Sequence, residues 1–291
     1  MGAKRKTIKA TALTLALLAF SIIGEVQEAS AQKGANKKLD VIGLTSDGRL
    51  VRFRSSNPRR ERQIGVVTGL SGSDTALVGI DFRVQDGLLY GVGNGGGIYT
   101  INTSTAVASF VQSLTVALDP IATSFGVDFN PAANALRIIS DTGQNLRQPF
   151  AGMLAGMTQD DSVLTFTAPG MTPVAAPGVT GAAYTNNDTS SSTATTLFDI
   201  DTVMDRVVIQ SPANNGFLVA TGNLGVAADA VAGFDIYSLL DGDTTVLNRA
   251  FAVLIVGGTP GFYRIDLLTG QASLVRNFDV PVIDIAIPLE Q

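Results

Sequence analysis

The sequence has 291 residues, with 31 Gly, no Cys and no His, and a formal net charge of −5. The lack of His and Cys excludes a Ser-His-Asp triad, a thiol nucleophile and metal sites built from imidazole or thiolate ligands. All six Lys lie at or before Lys38, so the remaining chain has 13 Arg against 23 Asp and Glu. That acidic balance argues against non-specific nucleic-acid binding and against adsorption to anionic lipid.

The first 31 residues have the pattern of a signal peptide. A basic segment at 4–9 precedes an apolar segment at 10–23 that is too short to span a bilayer, and Ala-Ser-Ala at 29–31 suits cleavage. We therefore expect a secreted bacterial protein, periplasmic or extracellular, with an uncleaved anchor as the alternative. Residues 32–38 are predicted to be a disordered basic tail, and residues 39–291 a single domain.

A short strand motif recurs along the chain. It reads GIDF at 79–82, GVDF at 126–129, GAAY at 181–184, GFDI at 233–236 and VIDI at 282–285. The copies are 47, 55, 52 and 49 residues apart, which is the length of one four-stranded propeller blade. The repeat predicts an all-β β-propeller.

A second motif lies between the copies of the first. It reads GIYTIN at 97–102 and GFYRID at 261–266, with looser copies LFDID at 197–201 and LVRFR at 50–54. Apolar and polar residues alternate in it, as expected for a half-buried strand. The terminal Asn or Asp suits a turn, because its side chain can accept a bond from the backbone two residues later.

The two ends of the chain complement each other. Residues 40–68 contain strand candidates at 41–44, 49–53 and 63–67 but no Gly-x-Asp strand, whereas a lone strand of that kind lies at 281–288. We predict that the last strand completes the first blade and so removes the open edges. Five blades result: 40–70 with 280–289, 79–118, 126–168, 179–225 and 233–279. Six blades are the alternative, because the third and fourth fit poorly.

Several motifs also resemble a known family. They are GLTSDG from Gly43, GIDFR at 79–83, SDTGQNLR at 140–147, AYTNN at 183–187 and PANNG at 212–216. Together they resemble an uncharacterised secreted bacterial family catalogued as a domain of unknown function (DUF4394-like). The resemblance implies a propeller-like domain and export, and it supplies no catalytic residues.

Four acidic residues recur within the first motif: Asp81, Asp128, Asp235 and Asp284, with Ala183 in the remaining copy. Inner strands surround the channel of a propeller, so these carboxylates are predicted to be equivalent and able to converge. Converging carboxylates repel one another unless a cation neutralises them, and oxygen ligands suit Ca²⁺. Alternatively, each carboxylate accepts backbone N–H bonds from a neighbouring blade.

A basic cluster occupies residues 49–62, which hold six of those 13 Arg. Alternation along a strand places Arg52 and Arg54 on one face, and Arg49 begins the same strand. These three residues are candidates for binding a sulfated or carboxylated polymer or another anionic partner. The alternative is a solvated outer hairpin whose charges protect a sheet edge.

A third cluster is polar, and we predict that it lies on loops of adjacent blades. Its members are Asp141, Gln144, Asn145, Arg147, Tyr184, Asn186 and Asn187. Amide and Tyr side chains on neighbouring loops can bind sugars or peptides. Ordinary turn formation would explain the Asn and Asp residues equally well.

No motif identifies a reaction, so the sequence favours a non-catalytic exported propeller. We expect a monomer without a cofactor that binds a partner protein or a glycan through one loop face. We do not expect it to bind nucleic acid or to insert into a membrane. The alternative is a Ca²⁺-assisted hydrolase of a glycan or lactone, with the channel Asp residues as ligands.

Overall fold

A computed structural model describes residues 37–166, 172–289 and 291. The predicted signal peptide and nearly all of the predicted basic tail lie outside these residues. Residues Lys38–Gln291 form one compact unit. In the part of the chain described, no helix has the length and apolarity needed to cross a bilayer.

The chain forms five sheets, described here in chain order. The first contains β1 (Asp40–Thr45), β2 (Arg49–Arg54) and β3 (Asn57–Val66). The second contains β4 (Leu77–Phe82), β5 (Leu89–Gly93), β6 (Gly97–Ile101) and β7 (Ala108–Ser113). The third contains β8 (Phe125–Asn130), β9 (Ala135–Ser140), β10 (Asn145–Pro149) and β11 (Gln159–Asp160).

Two short strands follow, β12 (Thr165–Phe166) and β13 (Val174–Ala175), and they join the fourth sheet. Its other strands are β14 (Val179–Tyr184), β15 (Leu197–Asp201), β16 (Arg206–Gln210) and β17 (Phe217–Asn223), with a 3-10 turn at Ala213–Asn215. The fifth sheet contains β18 (Ala232–Asp241), β19 (Thr244–Val256), β20 (Thr259–Ile265) and β21 (Ala272–Asn277). The last strand, β22 (Val282–Ala286), returns to the first sheet. This is a five-bladed propeller, so the alternative of six blades was wrong.

The last strand closes the ring as predicted. It pairs with β1 in antiparallel fashion, with Ile42 opposite Ala286 and Gly43 opposite Ile285. The side chains of Val282 and Ile285 are buried against Phe53 of β2 and other apolar residues of the first and fifth blades. Because β22 occupies the innermost position, the first blade draws its strands from both ends of the chain.

The hydrophobic core lies between neighbouring blades. Each of the five core clusters fills one interface, so every blade buries both of its faces. At the junction of the first and fifth blades, the rings of Phe53 and Phe262 meet edge to face at 5.2 Å, and Phe251 stacks on Phe262. Apolar residues of the second and third strands, such as Leu136 of β9 and Phe262 of β20, contribute to this packing.

The turns after the second motif form as predicted. The Asn102 side chain accepts N–H bonds from Ser104 and Thr105, and the Asp266 side chain accepts them from Leu268 and Thr269. The looser copy at 197–201 was misassigned, however, because Leu197–Asp201 is the second strand of its blade and not the third.

The boundary between the third and fourth blades also differs from the prediction. The third blade ends at Asp160, and the chain then crosses to the outer edge of the fourth. There β12 runs parallel to β17, with Thr165 opposite Phe217. The fourth blade therefore contains strands on both sides of the predicted boundary at 168–179.

Candidate functional site

The five inner strands β4, β8, β14, β18 and β22 surround the channel, and their ends define two faces. We call the side where they begin the start face; a pocket of about 250 Å³ there is lined by Ser46, Leu77, Thr123, Val231 and Asp284, among others. We call the side where they end the end face. It carries a pocket of about 540 Å³.

Three carboxylates converge in the channel between these faces. Asp81, Asp128 and Asp235 lie within β4, β8 and β18, are almost fully buried, and each has an oxygen within 4.8 Å of an oxygen of the other two. The Gly two residues earlier in each strand permits close approach of the neighbouring strand; a Cβ at Gly126, for example, would lie 2.7 Å from the Ala182 nitrogen.

Each of the three carboxylates also binds the backbone of the next blade. Asp81 accepts the N–H of Phe129 at 2.8 Å, and Asp128 accepts the N–H of Tyr184 at 2.9 Å. Asp235 accepts the N–H of Ile287 at 2.5 Å. The backbone bonds expected from the sequence are therefore present, and they leave the three carboxylates close together.

Asp284 is not equivalent to the other three, and the prediction that it is was wrong. The positions of the donors show why: Phe129, which donates to Asp81, directly follows Asp128, and Tyr184, which donates to Asp128, directly follows Ala183. Because Asp235 binds Ile287, the equivalent position in β22 is Ala286. Asp284 lies two residues nearer the start face, where it accepts the N–H groups of Ile80 at 2.8 Å and Ile285 at 2.9 Å.

Burial dominates the electrostatics of the channel. It raises the pKa values of Asp81, Asp128 and Asp284 well above the ordinary value, and repulsion from neighbouring carboxylates raises them further. Burial raises the pKa of Asp235 to about 7, although the Ile287 N–H opposes the change. Around neutral pH the cluster must therefore hold protons or be neutralised by a cation.

The three channel carboxylates can supply part of a Ca²⁺ coordination shell. Oxygens bound to one Ca²⁺ at about 2.4 Å are at most about 4.8 Å apart, and the three carboxylates satisfy this limit. One oxygen of each carboxylate accepts a backbone N–H of the next blade. Because Ca²⁺ takes six to eight oxygens, water or a ligand would have to complete the shell.

The end-face pocket is assembled from loops of four blades. Its lining includes Gln85, Asp86, Asn187, Asp188, Thr189, Leu240, Asp243, Pro288 and Leu289. The Asn187 amide donates to the Ile236 carbonyl at 2.8 Å, and the Gln85 amide donates to the Pro131 carbonyl at 2.7 Å. The Gln85 Oε1 has no hydrogen-bond partner among the described residues.

The carboxylates of this pocket differ in whether they are free to contact a ligand. Asp86 binds Arg83 and Tyr90, and Asp188 accepts bonds from Thr245 and Ser190, so both are engaged within the protein. Asp243, at the tip of the β18–β19 hairpin, is exposed. Sequence reasoning missed these residues, because each lies in a turn where Asp and Gln are unremarkable.

The predicted polar cluster does not form one site. The turn at 141–144 joins β9 to β10 on the start face, where Asp141 accepts a bond from the Thr123 hydroxyl at 2.5 Å. Tyr184 ends an inner strand, so Asn186 and Asn187 lie on the end face. The first run lies in the turn between the second and third strands of its blade, and the second run follows the inner strand of its blade, so the two runs lie on opposite faces. Only Asn187 lines the end-face pocket.

The other members of that cluster are held by internal contacts. Gln144 binds the backbone of Asp119 and Ala117, and Asn186 binds Asn248. Asn145 and Tyr184 contact the guanidinium of Arg137, and Arg147 pairs with Asp161.

A buried polar network occupies the interface of the third and fourth blades. The Arg137 guanidinium is 1% exposed and binds Asn145 and Asp161, each at 2.8 Å, and Asn214 at 2.7 Å. Asp199 of β15 is fully buried, and neither of its carboxylate oxygens has a partner among the described residues. Burial raises the pKa of Asp199 well above its ordinary value, while Arg137 opposes the change. Arg137 and Asp199 were not singled out by the sequence analysis, because a buried charge has no signature in an apolar strand pattern.

The three candidate anion-binding arginines lie on β2. Arg49 pairs with Asp47 at 2.6 Å and Arg54 with Asp40 at 3.1 Å. Arg52 donates to the Thr103 carbonyl at 3.3 Å. Arg52 and Arg54 are both exposed, as alternation predicts.

Solved structures resemble this chain at the level of the fold. A protein of unknown function from Bacteroides thetaiotaomicron is 10% identical over 87% of this chain and 68% of its own, with a TM-score of 0.44. A structure of the nidogen/laminin complex is 10% identical over 88% and 100%, with a TM-score of 0.43. The glutaminyl cyclase of Myxococcus xanthus is 14% identical over 72% and 69%, with a TM-score of 0.39. These low scores carry no information about function.

No curated protein matches the sequence. A family model does: the one described as a domain of unknown function (DUF4394) matches residues 49–286. This range runs from β2 to the closing strand β22 and includes every inner strand. The chain therefore belongs to the DUF4394 family, whose members are expected to share this propeller.

Proposed function

We propose that this protein is a non-catalytic, exported binding propeller that holds a glycan in its end-face pocket. The observation that carries the proposal is the pocket itself, about 540 Å³ in volume and built from loops of four blades around the channel axis. A rigid ring holds these loops in place, and sites of this kind commonly bind ligands.

The chemistry of the pocket favours a ligand rich in hydroxyl groups. Asn187 and Asp243 supply acceptor oxygens, while Leu240 and Leu289 supply apolar surface against which a sugar ring can pack. The absence of His and Cys from the chain removes the most common catalytic bases and nucleophiles. Binding without turnover is therefore the simpler function for this site.

The proposal can be tested by calorimetric titration of the purified protein with a panel of neutral oligosaccharides. Replacing the exposed Thr189 by Trp should fill part of the pocket and weaken binding at least about tenfold, since about 1.4 kcal/mol of lost contact has that effect. Ser273→Ala, at an exposed position of β21, is the matched control and should bind normally. Equal binding by Thr189→Trp and the native protein would contradict the proposal, as would turnover of the bound sugar.

A second candidate is a Ca²⁺-assisted hydrolase, and the convergence of Asp81, Asp128 and Asp235 favours it. In this case the three carboxylates would hold the ion, and the ion would polarise a bound substrate. Thermal melting with added Ca²⁺ or with EDTA tests this candidate. An unchanged melting temperature, together with no metal by elemental analysis, would rule it out.

A further inference from the structure

A basic surface lies on the outer hairpin of the first blade, far along the sheet from the channel. It consists of Arg52 and Arg54 on β2 and Arg60 and Arg62 on β3, all of them exposed. We call these four residues the arginine face. Arg59, the neighbour of Arg60 on β3, pairs with Asp279 and is not part of this face.

The register of the hairpin brings like charges together. Arg52 is directly opposite Arg62 in the antiparallel pair. Directly opposed like charges destabilise a sheet by up to about 1 kcal/mol unless something neutralises them. The register shifts between Arg52 and Arg54, so Arg54 is opposite Asn57 and Arg60 lies in the irregular part of β3.

Few groups of the protein neutralise this face. Arg54 pairs with Asp40, and Arg52 donates to the uncharged carbonyl of Thr103. Among the described residues, Arg60 and Arg62 have no hydrogen bond or ion pair. Two guanidinium groups therefore present all their donors to solvent, in a chain whose body is otherwise strongly acidic.

We propose that the arginine face binds an anionic polysaccharide through its carboxylate or sulfate groups. Guanidinium forks match both anions geometrically, and a row of them suits a linear chain with charges at regular intervals. A single extended chain touches only this face, and at physiological ionic strength repulsion from more distant carboxylates is screened beyond about 8 Å.

Other polyanions fit this surface less well. Duplex nucleic acid or an anionic membrane would bring a wide negative surface against the acidic body of the protein. The tip of the hairpin, Ser55 to Asn57, is polar and offers no aromatic or aliphatic side chain to insert into a bilayer. The site is separate from the end-face pocket, so it extends the proposed function and does not depend on it.

The test measures binding of the purified protein to dextran sulfate and to polygalacturonate by calorimetry, with uncharged dextran as the baseline. The double variant Arg60→Gln, Arg62→Gln should bind at least about fivefold more weakly, the effect expected from losing two exposed ionic contacts. The dependence of the affinity on salt should weaken as well. Both positions are exposed, so its melting temperature should stay close to that of the native protein.

The matched control is Arg264→Gln, Arg276→Gln, which removes the same charge from exposed positions of the fifth blade. It should bind both polymers within about twofold of the native protein. The pocket variant Thr189→Trp should also bind them normally, which separates this proposal from the glycan pocket. The proposal would be overturned by undiminished binding in the Arg60 and Arg62 variant, by an equal loss in the control, or by binding to phosphatidylglycerol vesicles and to neither polymer.

Discussion

Removal of the closing strand should open the ring and unfold the protein. Deleting residues 281–291 removes β22, which lies between β1 and the channel. It also removes Ile287 and Asp284, which bond to Asp235 and to the Ile80 N–H in the two flanking blades. The first blade would then expose its innermost edge, and two inter-blade contacts would be lost.

The magnitude follows from the burial of this segment. Val282, Ile285 and Ile287 are each at most 2% exposed. Fully burying a side chain of this kind contributes about 1.5–3 kcal/mol, so these three contribute roughly 5–9 kcal/mol. The whole stability of a typical domain is about 5–15 kcal/mol. The free energy lost with the closing strand is therefore comparable with the whole free energy of unfolding.

Urea unfolding followed by circular dichroism, with size-exclusion chromatography, would measure the effect. Deleting only residues 290–291 is the control, because it removes the Gln291 contacts to Asp40 and keeps β22 intact. Ile285→Ala should cost about 2–5 kcal/mol, and the half-buried Ile283→Ala clearly less. If the long truncation remained compact and unfolded at nearly the native urea concentration, the argument for closure would fail.

Three further outcomes are expected from the buried charges. A raised pKa means that the folded state favours the protonated form, so the contribution of Asp235 is present at pH 4 and is lost as the pH rises through about 7. In EDTA, the melting temperature should fall between about pH 4 and 7 and Asp235→Asn should reduce this fall, which is worth at most roughly 4 kcal/mol; a native melting temperature independent of pH would refute this. Arg137→Met should lower the free energy of unfolding in urea by about 3–5 kcal/mol, because it leaves the Asp161 carboxylate buried without its partner. A decrease below about 1 kcal/mol would argue against the network. Asp199→Asn should stabilise the protein at pH 8 and have little effect at pH 4. The control Asp201→Asn weakens the contact with Arg206 and should destabilise the protein at pH 8. If Asp199→Asn were the destabilising variant at pH 8, Asp199 would have a partner.

The fold was largely predictable because a strand motif recurs in the sequence about once per blade. Gly and Asp recur at one position of the inner strands, where close packing and inter-blade bonds require them, and the two chain ends supply complementary strands. The exception is Asp284. Side chains in a strand alternate with a period of two, so a shift of two residues keeps the same face and leaves the apolar pattern intact. The bonds from Ile287 to Asp235 and from Ile80 to Asp284 reveal the shift.

The candidate site was less predictable, because it depends on which loops meet. Asp141 and Asn187 lie on successive blades, and their separation onto opposite faces follows from which strands their loops join. The sequence left the strand assignment uncertain where β12 and β13 cross to the fourth blade. The unpartnered Arg60 and Arg62 were visible as part of a basic run, but their lack of ion pairs depends on where distant carboxylates lie.

The contact between the two ends of the described ring has a consequence for how the chain can be rearranged. The Gln291 side chain accepts the N–H of Asp40 at 2.5 Å and donates to its carbonyl at 3.1 Å. A short linker could therefore join these ends, and new termini could be made at the open turn Gly257–Gly258. In such a circular permutant every strand keeps its neighbours, and β22 and β1 become an ordinary hairpin. The same ring could therefore form from a chain that starts at a different strand.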